Sequence, residues 1–150
     1  MNSVSPMLVC VETRNARRGI NQALLNRMNI VYDLNFFSNN LADYPHIAEY
    51  GVSVKALRDR YAEAIWDATF DEHNGATVNG DNLQYSVFVA KNGKRAVVVA
   101  NMSNDRASKV SAALNNNASL VYATPESPEQ KAFGGTVELA PLSAVIIMEK

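Results

Sequence analysis

The sequence predicts an α+β protein: a βαβα module over residues 1–72, a linking loop over 73–81, and a small antiparallel β-sandwich over 82–150. Three observations predict it. Two apolar segments, Met7–Val11 and Ile30–Phe37, flank a stretch of helical periodicity. The hydrophobic period then changes from about 3.6 residues to 2 across His73–Asp81. Finally, Lys91-Asn-Gly-Lys94 is a strong hairpin signal between two β-rich runs.

Met7-Leu-Val-Cys-Val11 is an uninterrupted apolar run, the pattern of a strand covered on both faces. Thr13 and Asn15 are candidate N-caps, because their side-chain oxygens can accept the free amides of a first helical turn. Ala16, Ile20, Ala23, Leu24 and Met28 then share one helix face, with Arg17, Arg18, Gln22 and Arg27 expected on the solvated side. Ile30–Phe37 supplies the second strand, and two buried strands around one helix read as a parallel crossover. Pro45 suits the first turn of a short helix that Gly51 should break or kink. From Ser53 a second amphipathic helix is expected, burying Val54, Leu57, Tyr61, Ala64, Ile65 and Ala68.

Beyond the two Asn-Gly steps of His73–Asp81, Leu83, Tyr85, Val87 and Val89 alternate with Gln84, Ser86, Phe88 and Ala90. Arg95–Met102 is the return strand of the hairpin, for which a type I′ turn is expected. Shorter strands are expected around Ser108–Leu114, Ser119–Ala123, Thr136–Leu139 and Leu142–Met148. Their separators are Asn115–Asn117, Thr124–Glu129 and Ala140-Pro141. Strands at this spacing with hairpin links describe a small sandwich or barrel.

Composition narrows the function. Fourteen Lys and Arg against fifteen Asp and Glu leave a net charge of −1, so nucleic acid is not an expected partner. No apolar run approaches the roughly 18 residues of a membrane span, and no export signal is visible, so no membrane partner is expected and the compartment stays open. One cysteine and two histidines, His46 and His73, offer no metal-binding cluster, and nothing calls for a cofactor. Cys10 reads as a core thiol.

Two parallel strands and two helices cannot cover themselves, since a parallel sheet needs more strands and both faces buried. In that order, and with the closing segment Gly135-Thr-Val-Glu-Leu-Ala-Pro-Leu-Ser-Ala-Val-Ile-Ile147, the chain resembles the carboxyl-terminal portion of a TIM-barrel glycoside hydrolase. Those enzymes end with the last βα units of a (β/α)8 barrel followed by an antiparallel β domain. Arg95-Ala-Val-Val-Val-Ala-Asn-Met-Ser-Asn104 is similar to the apolar strand, Asn and Ser/Asp turn of such domains. The resemblance implies earlier barrel strands ahead of Met1, a carbohydrate as the ligand class, and a non-catalytic fragment whose β domain is structural. The alternative is a self-standing carbohydrate-binding or protein-interaction module. It would need an exposed aromatic pair, and Tyr85, Phe88 and Tyr122 are the strand aromatics available.

Within that resemblance Glu12 is the candidate catalytic residue, because TIM-barrel catalytic groups stand at the carboxyl ends of strands. The competing reading is a carboxylate that favours the dipole of the following helix. Asp33 and Asn35 on the second strand are candidate substrate-binding residues, or else polar positions that a larger sheet would bury. A glycosidase needs two carboxyl groups, about 5–5.5 Å apart for retention or about 6.5–9.5 Å for inversion. The partner of Glu12 would lie on an earlier strand, so this chain alone is expected to be inactive. The two apolar strands also predict a homodimer through residues 1–72, in which a second copy supplies the missing cover.

Overall fold

The computed structural model describes residues 7–33, 35, 37, 40–114 and 118–150. Leu34 and Phe36 of the second apolar segment, and the separator Asn115–Asn117, lie outside the described residues. The chain runs β1 (Leu8–Val11), α1 (Ala16–Asn26), β2 (Asn29–Tyr32), α2 (Pro45–Arg60), β3 (Thr69–Phe70), β4 (Ala76–Asn79), β5 (Leu83–Val89) and β6 (Arg95–Asn101). It continues with β7 (Ser108–Leu114), β8 (Leu120–Thr124), β9 (Ser127–Ala132), β10 (Thr136–Leu139) and β11 (Ala144–Glu149).

The expected α+β class, a βαβα fragment like a barrel end joined to a small sandwich, is not what the chain forms. Among the described residues it has two α-helices and eleven strands, and the antiparallel sheets dominate. A six-stranded sheet has the order β3-β5-β6-β11-β8-β9, and a three-stranded sheet the order β10-β7-β4. β1 and β2 do pair in parallel with α1 between them, but as a two-stranded sheet of their own. The reason lies in β6 and β11, which are buried almost throughout. Side chains on both faces of these strands need cover, so the helices are drawn onto the large sheet. Val97, Val99, Val145 and Ile147 pack with Val110 and Leu139 of the small sheet. Val98, Ala100, Ala144 and Ile146 pack in one core with Ile20 and Leu24 of α1 and Val54 and Leu57 of α2. Fully burying each such branched side chain contributes roughly 1.5–3 kcal/mol.

Several local expectations change for the same reason. Ala76–Asn79, within the expected linking loop, is a strand that pairs antiparallel with β7. Ser127–Ala132, which overlaps an expected separator, is the edge strand β9. The hairpin turn has Gly93 alone at positive φ (82°), with its N–H donating to Ala90 O at 2.8 Å, the pattern of a G1-bulge turn rather than type I′. Arg17, Arg18 and Arg27 are not merely solvated. Arg17 donates to Leu142 O (3.2 Å), Arg18 to Met102 O (2.7 Å) and Arg27 to Trp66 O (3.1 Å). Each ties α1 or its cap to a loop carbonyl.

Gly51 neither breaks nor kinks a helix boundary; α2 runs through it from Pro45 to Arg60. Its missing side chain makes room for β2, because a Cβ there would lie 1.9 Å from Tyr32 Oη and 3.3 Å from Tyr32 Cζ. In an open helix Gly→Ala gains up to about 1 kcal/mol. Here we expect Gly51→Ala to lose about 1–3 kcal/mol by overpacking. Urea denaturation should show a smaller loss in a Tyr32→Phe background, where only the Cζ contact is left. Equal losses in both backgrounds would mean that the Tyr32 hydroxyl does not exclude the side chain.

Tyr50 on α2 is buried, donates to Asn21 Oδ1 of α1 at 2.5 Å, and lies under the Arg17 guanidinium, 3.8 Å from its ring centroid. Burial pushes its hydroxyl from 10.0 up to about 12, although the Arg17 charge opposes the rise. The unfolded chain therefore loses this proton first. Stability should be whole below pH 10 and fall by roughly 2–3 kcal/mol as pH rises from 10 towards 12. Tyr50→Phe should flatten that limb, and it should lose about 1–3 kcal/mol at neutral pH because buried Asn21 is left without its partner. Unfolding curves of equal steepness in alkali for both proteins would refute the shielding of Tyr50.

Candidate functional site

The carboxyl end of the β1–β2 pair brings the three sequence-predicted residues close along the backbone. Val11 and Tyr32 form the last register pair, so Glu12 and Asp33 are the residues that follow each strand. Asp33 N–H donates to Val11 O at 3.3 Å, which holds the second strand end against the first. Glu12 is extended (φ −108°, ψ 155°) and half-buried ahead of a short 3-10 turn at Thr13–Asn15. Its side chain makes no capping hydrogen bond to that turn. The Asp33 carboxylate accepts the Asn35 N–H at 2.9 Å and lies 4.0 Å from the Cys10 thiol sulfur. Asp33 therefore organises the turn after β2, and Asn35 enters through its backbone rather than its side chain. Cys10 is exposed, not the core thiol expected.

None of the five clefts described for the molecule is lined by Glu12, Asp33 or Asn35. Clefts with aromatic side chains in their walls lie elsewhere, two of them against the large sheet. One, of about 500 Å³, sits past the end of α2 between Arg60, Tyr61, Glu63, Lys94 and Gln130. Arg60 in its wall forms two hydrogen bonds of 2.6 and 2.8 Å to Glu129. The other, of about 410 Å³, lies at the β5 edge of the large sheet. Its walls are Leu25 and Asn26 at the end of α1, Phe70 of β3, Glu72 and His73 of the following turn, and Leu83–Ser86 of β5. Phe70 pairs across the strands with buried Phe88, ring centroids 5.7 Å apart, yet is 40% exposed. The His73 and Tyr85 rings meet at 4.5 Å.

Backbone polarity adds to this second cleft. Val87 donates to Glu72 O and accepts from Asp71 N–H, both at 2.8 Å, so its amide and carbonyl point away from β6. Two residues along the strand, those of Tyr85 point the same way. β3 ends at Phe70, and among the described residues no strand pairs beside them.

No protein-family profile matches the chain, and no curated protein matches it. Among solved structures it is similar to a GH27 β-L-arabinopyranosidase from Geobacillus stearothermophilus in complex with arabinose, at 13% identity and a TM-score of 0.49. The similarity covers 92% of this chain and 31% of that one, so the chain spans about a third of the enzyme's length.

Of the aromatics considered from the sequence, Phe88 is fully buried, and Tyr122 packs edge-on against Phe133 at 6.2 Å. Tyr61 is buried, and its hydroxyl donates to Pro128 O at 2.6 Å. Trp66 is half-buried under Arg58, whose guanidinium lies 4.1 Å from the ring centroid. Sequence reasoning missed the partnership of Phe70, Gln84 and Tyr85. The available signal was Phe70 falling beyond the helix, where an apolar residue no longer belongs to its buried face.

Proposed function

We propose that the chain is a non-catalytic module of a carbohydrate-active enzyme, with the antiparallel β portion as its structural body. The observation that carries the absence of catalysis is the state of the strand-end acids. Asp33 is engaged in its own turn and Glu12 lines none of the five described clefts, whereas glycoside hydrolysis needs one acid to protonate the leaving oxygen and a second carboxylate across the scissile bond. The structural role of the β portion is supported by Asn101, in the segment that carries the sequence resemblance. Fully buried, its amide nitrogen lies 2.8 Å from Arg106 O and 3.1 Å from both Leu139 O and Ala140 O. Its oxygen accepts Ser103 N–H at 3.0 Å. One side chain thus latches the end of β6, the turn after it, and the β10–β11 connection. We expect no turnover of a panel of aryl glycosides; turnover that disappears in Glu12→Gln would establish an enzyme and sink this reading.

The exposed side of the β1–β2 pair supports the proposal that the module associates through residues 1–72. Leu8 is 63% exposed and Val31 42%, on a parallel pair whose outer strand edges carry no further strand among the described residues. Open edges and apolar surface together favour pairing with another chain. A second copy related by a two-fold axis satisfies the same patch twice. Sedimentation at micromolar concentration is expected to show a dimer that Leu8→Glu with Val31→Glu converts to a monomer. A wild-type monomer at that concentration would remove the proposal.

A further inference from the structure

We propose that the cleft at the open edge of β5 binds a neutral saccharide, an assignment that rests on the carbohydrate reading above and gives it a place. The volume, about 410 Å³, is within the range of small-ligand sites. An apolar wall, polar groups of both hydrogen-bonding senses and little charge meet there, and a sugar ring presents the complementary set: a C–H face and a rim of hydroxyls.

Phe70 supplies the apolar wall. Its edge-to-face contact with Phe88 holds the ring from the core side and leaves the rest of it open. The rim comes from three elements. Asn26 spends its amide N–H on Gln22 O at 3.1 Å, which leaves Oδ1 as an acceptor. Gln84 is exposed and offers both an amide donor and an acceptor. Tyr85 adds an outward backbone N–H and C=O, fixed by the strand and needing no side-chain ordering to bind. The charge pattern selects neutral over anionic ligands. Glu72 is the acidic group in the wall, and no lysine or arginine lines the cleft, so a carboxylated or phosphorylated sugar meets repulsion without a countercharge.

The placement follows from the fold. Glu72 adopts a left-handed conformation (φ 53°) that turns the chain off the sheet, so β3 covers only Val89 and Phe88. A longer β3 would pair with Tyr85 and fill the site.

An amide-detected NMR titration with the methyl glycosides of glucose, galactose, xylose and arabinose tests the assignment, with methyl glucuronide as the anionic probe. At millimolar ligand, at least one neutral glycoside should shift the amides of Glu72, His73 and Gln84–Ser86. Phe70→Ala should weaken that binding about tenfold or more. Gln84→Ala, at an exposed position that leaves the core untouched, should weaken it several-fold with an unchanged spectrum elsewhere. Methyl glucuronide should bind more weakly than the glucoside. Shifts confined to another surface would overturn this site and keep the carbohydrate reading. Silence with every glycoside would overturn the site alone, since a structural module need bind no sugar, and glucuronide binding as tight as glucoside would overturn the neutral class. Failure of the non-catalytic reading shows separately, as turnover of aryl glycosides.

Discussion

Two adjacent strands that are apolar on both faces set the terms for the molecule. β6 and β11 pair from Ala96–Met148 to Ala100–Ala144, and nearly every side chain in both is buried. Such a pair is unstable unless each face is covered, because every exposed branched side chain forgoes roughly 1.5–3 kcal/mol of transfer free energy. The small sheet covers one face and the two helices the other. The α-helices are therefore the second outer layer of a β structure, not the beginning of an α/β barrel. Gly19 of α1 faces β1, where an added Cβ would meet Val11 Cγ2 at 3.4 Å, an ordinary packing distance.

Helices laid on a sheet leave loop carbonyls at the margins, and the arginines of the first segment answer them. Arg17, Arg18 and Arg27 each donate to a carbonyl at least 39 residues away in sequence. A half-buried guanidinium on a carbonyl is a charge-assisted bond that contributes more than an exposed ion pair. Arg17 shows both kinds, with its Nε on Leu142 O and its terminal nitrogen in an ion pair with Glu126 at the surface. The polar side of α1 thus helps to fix the helix layer as its apolar stripe does. This is why separating the chain into a helical part and a β part by period alone misses how they are joined.

The sequence patterns were most readable where the strand is local and its neighbours are near. Ser108–Leu114 and Thr136–Leu139 have the bounds expected of them, because alternation and turn residues define both ends. The rule that an unbroken apolar run means two covered faces was sound, but it belonged to Arg95–Asn101 and Ala144–Glu149 more than to Met7–Val11. There Leu8 and Cys10 are exposed on one side. Gly51 misled for a different reason. Its role is tertiary, a space for Tyr32, and a helix-breaking propensity of about 1 kcal/mol is small beside it. Glu12 was legible as the residue after the first strand, whereas Asp33, expected within a strand running to Phe37, follows one that ends at Tyr32. The β5 cleft was not legible, because it needs α1, β3 and β5 to meet at one edge, and no local pattern specifies that.

The two edges of the large sheet are protected in different ways, and the difference shapes the cleft at the β5 edge. At the far edge, β9 carries Pro128, Glu129 and Lys131 along an exposed strand, and charge with a missing N–H discourages further pairing. Glu129 is also held by Arg60, which ties this edge to the end of α2. At the near edge β3 is only two residues long and carries no charge. Beyond it the walls come from neighbouring elements instead: the end of α1 on one side and the His73–Tyr85 ring pair on the other. Flanking walls narrow the approach to the Tyr85 backbone without pairing it. An edge left open but recessed in this way disfavours a long incoming strand, which would have to displace Asn26 or His73, while a compact ligand fits between them. The same short β3 that ends the sheet therefore creates a place where backbone polar groups, normally consumed by a ladder, are available for recognition.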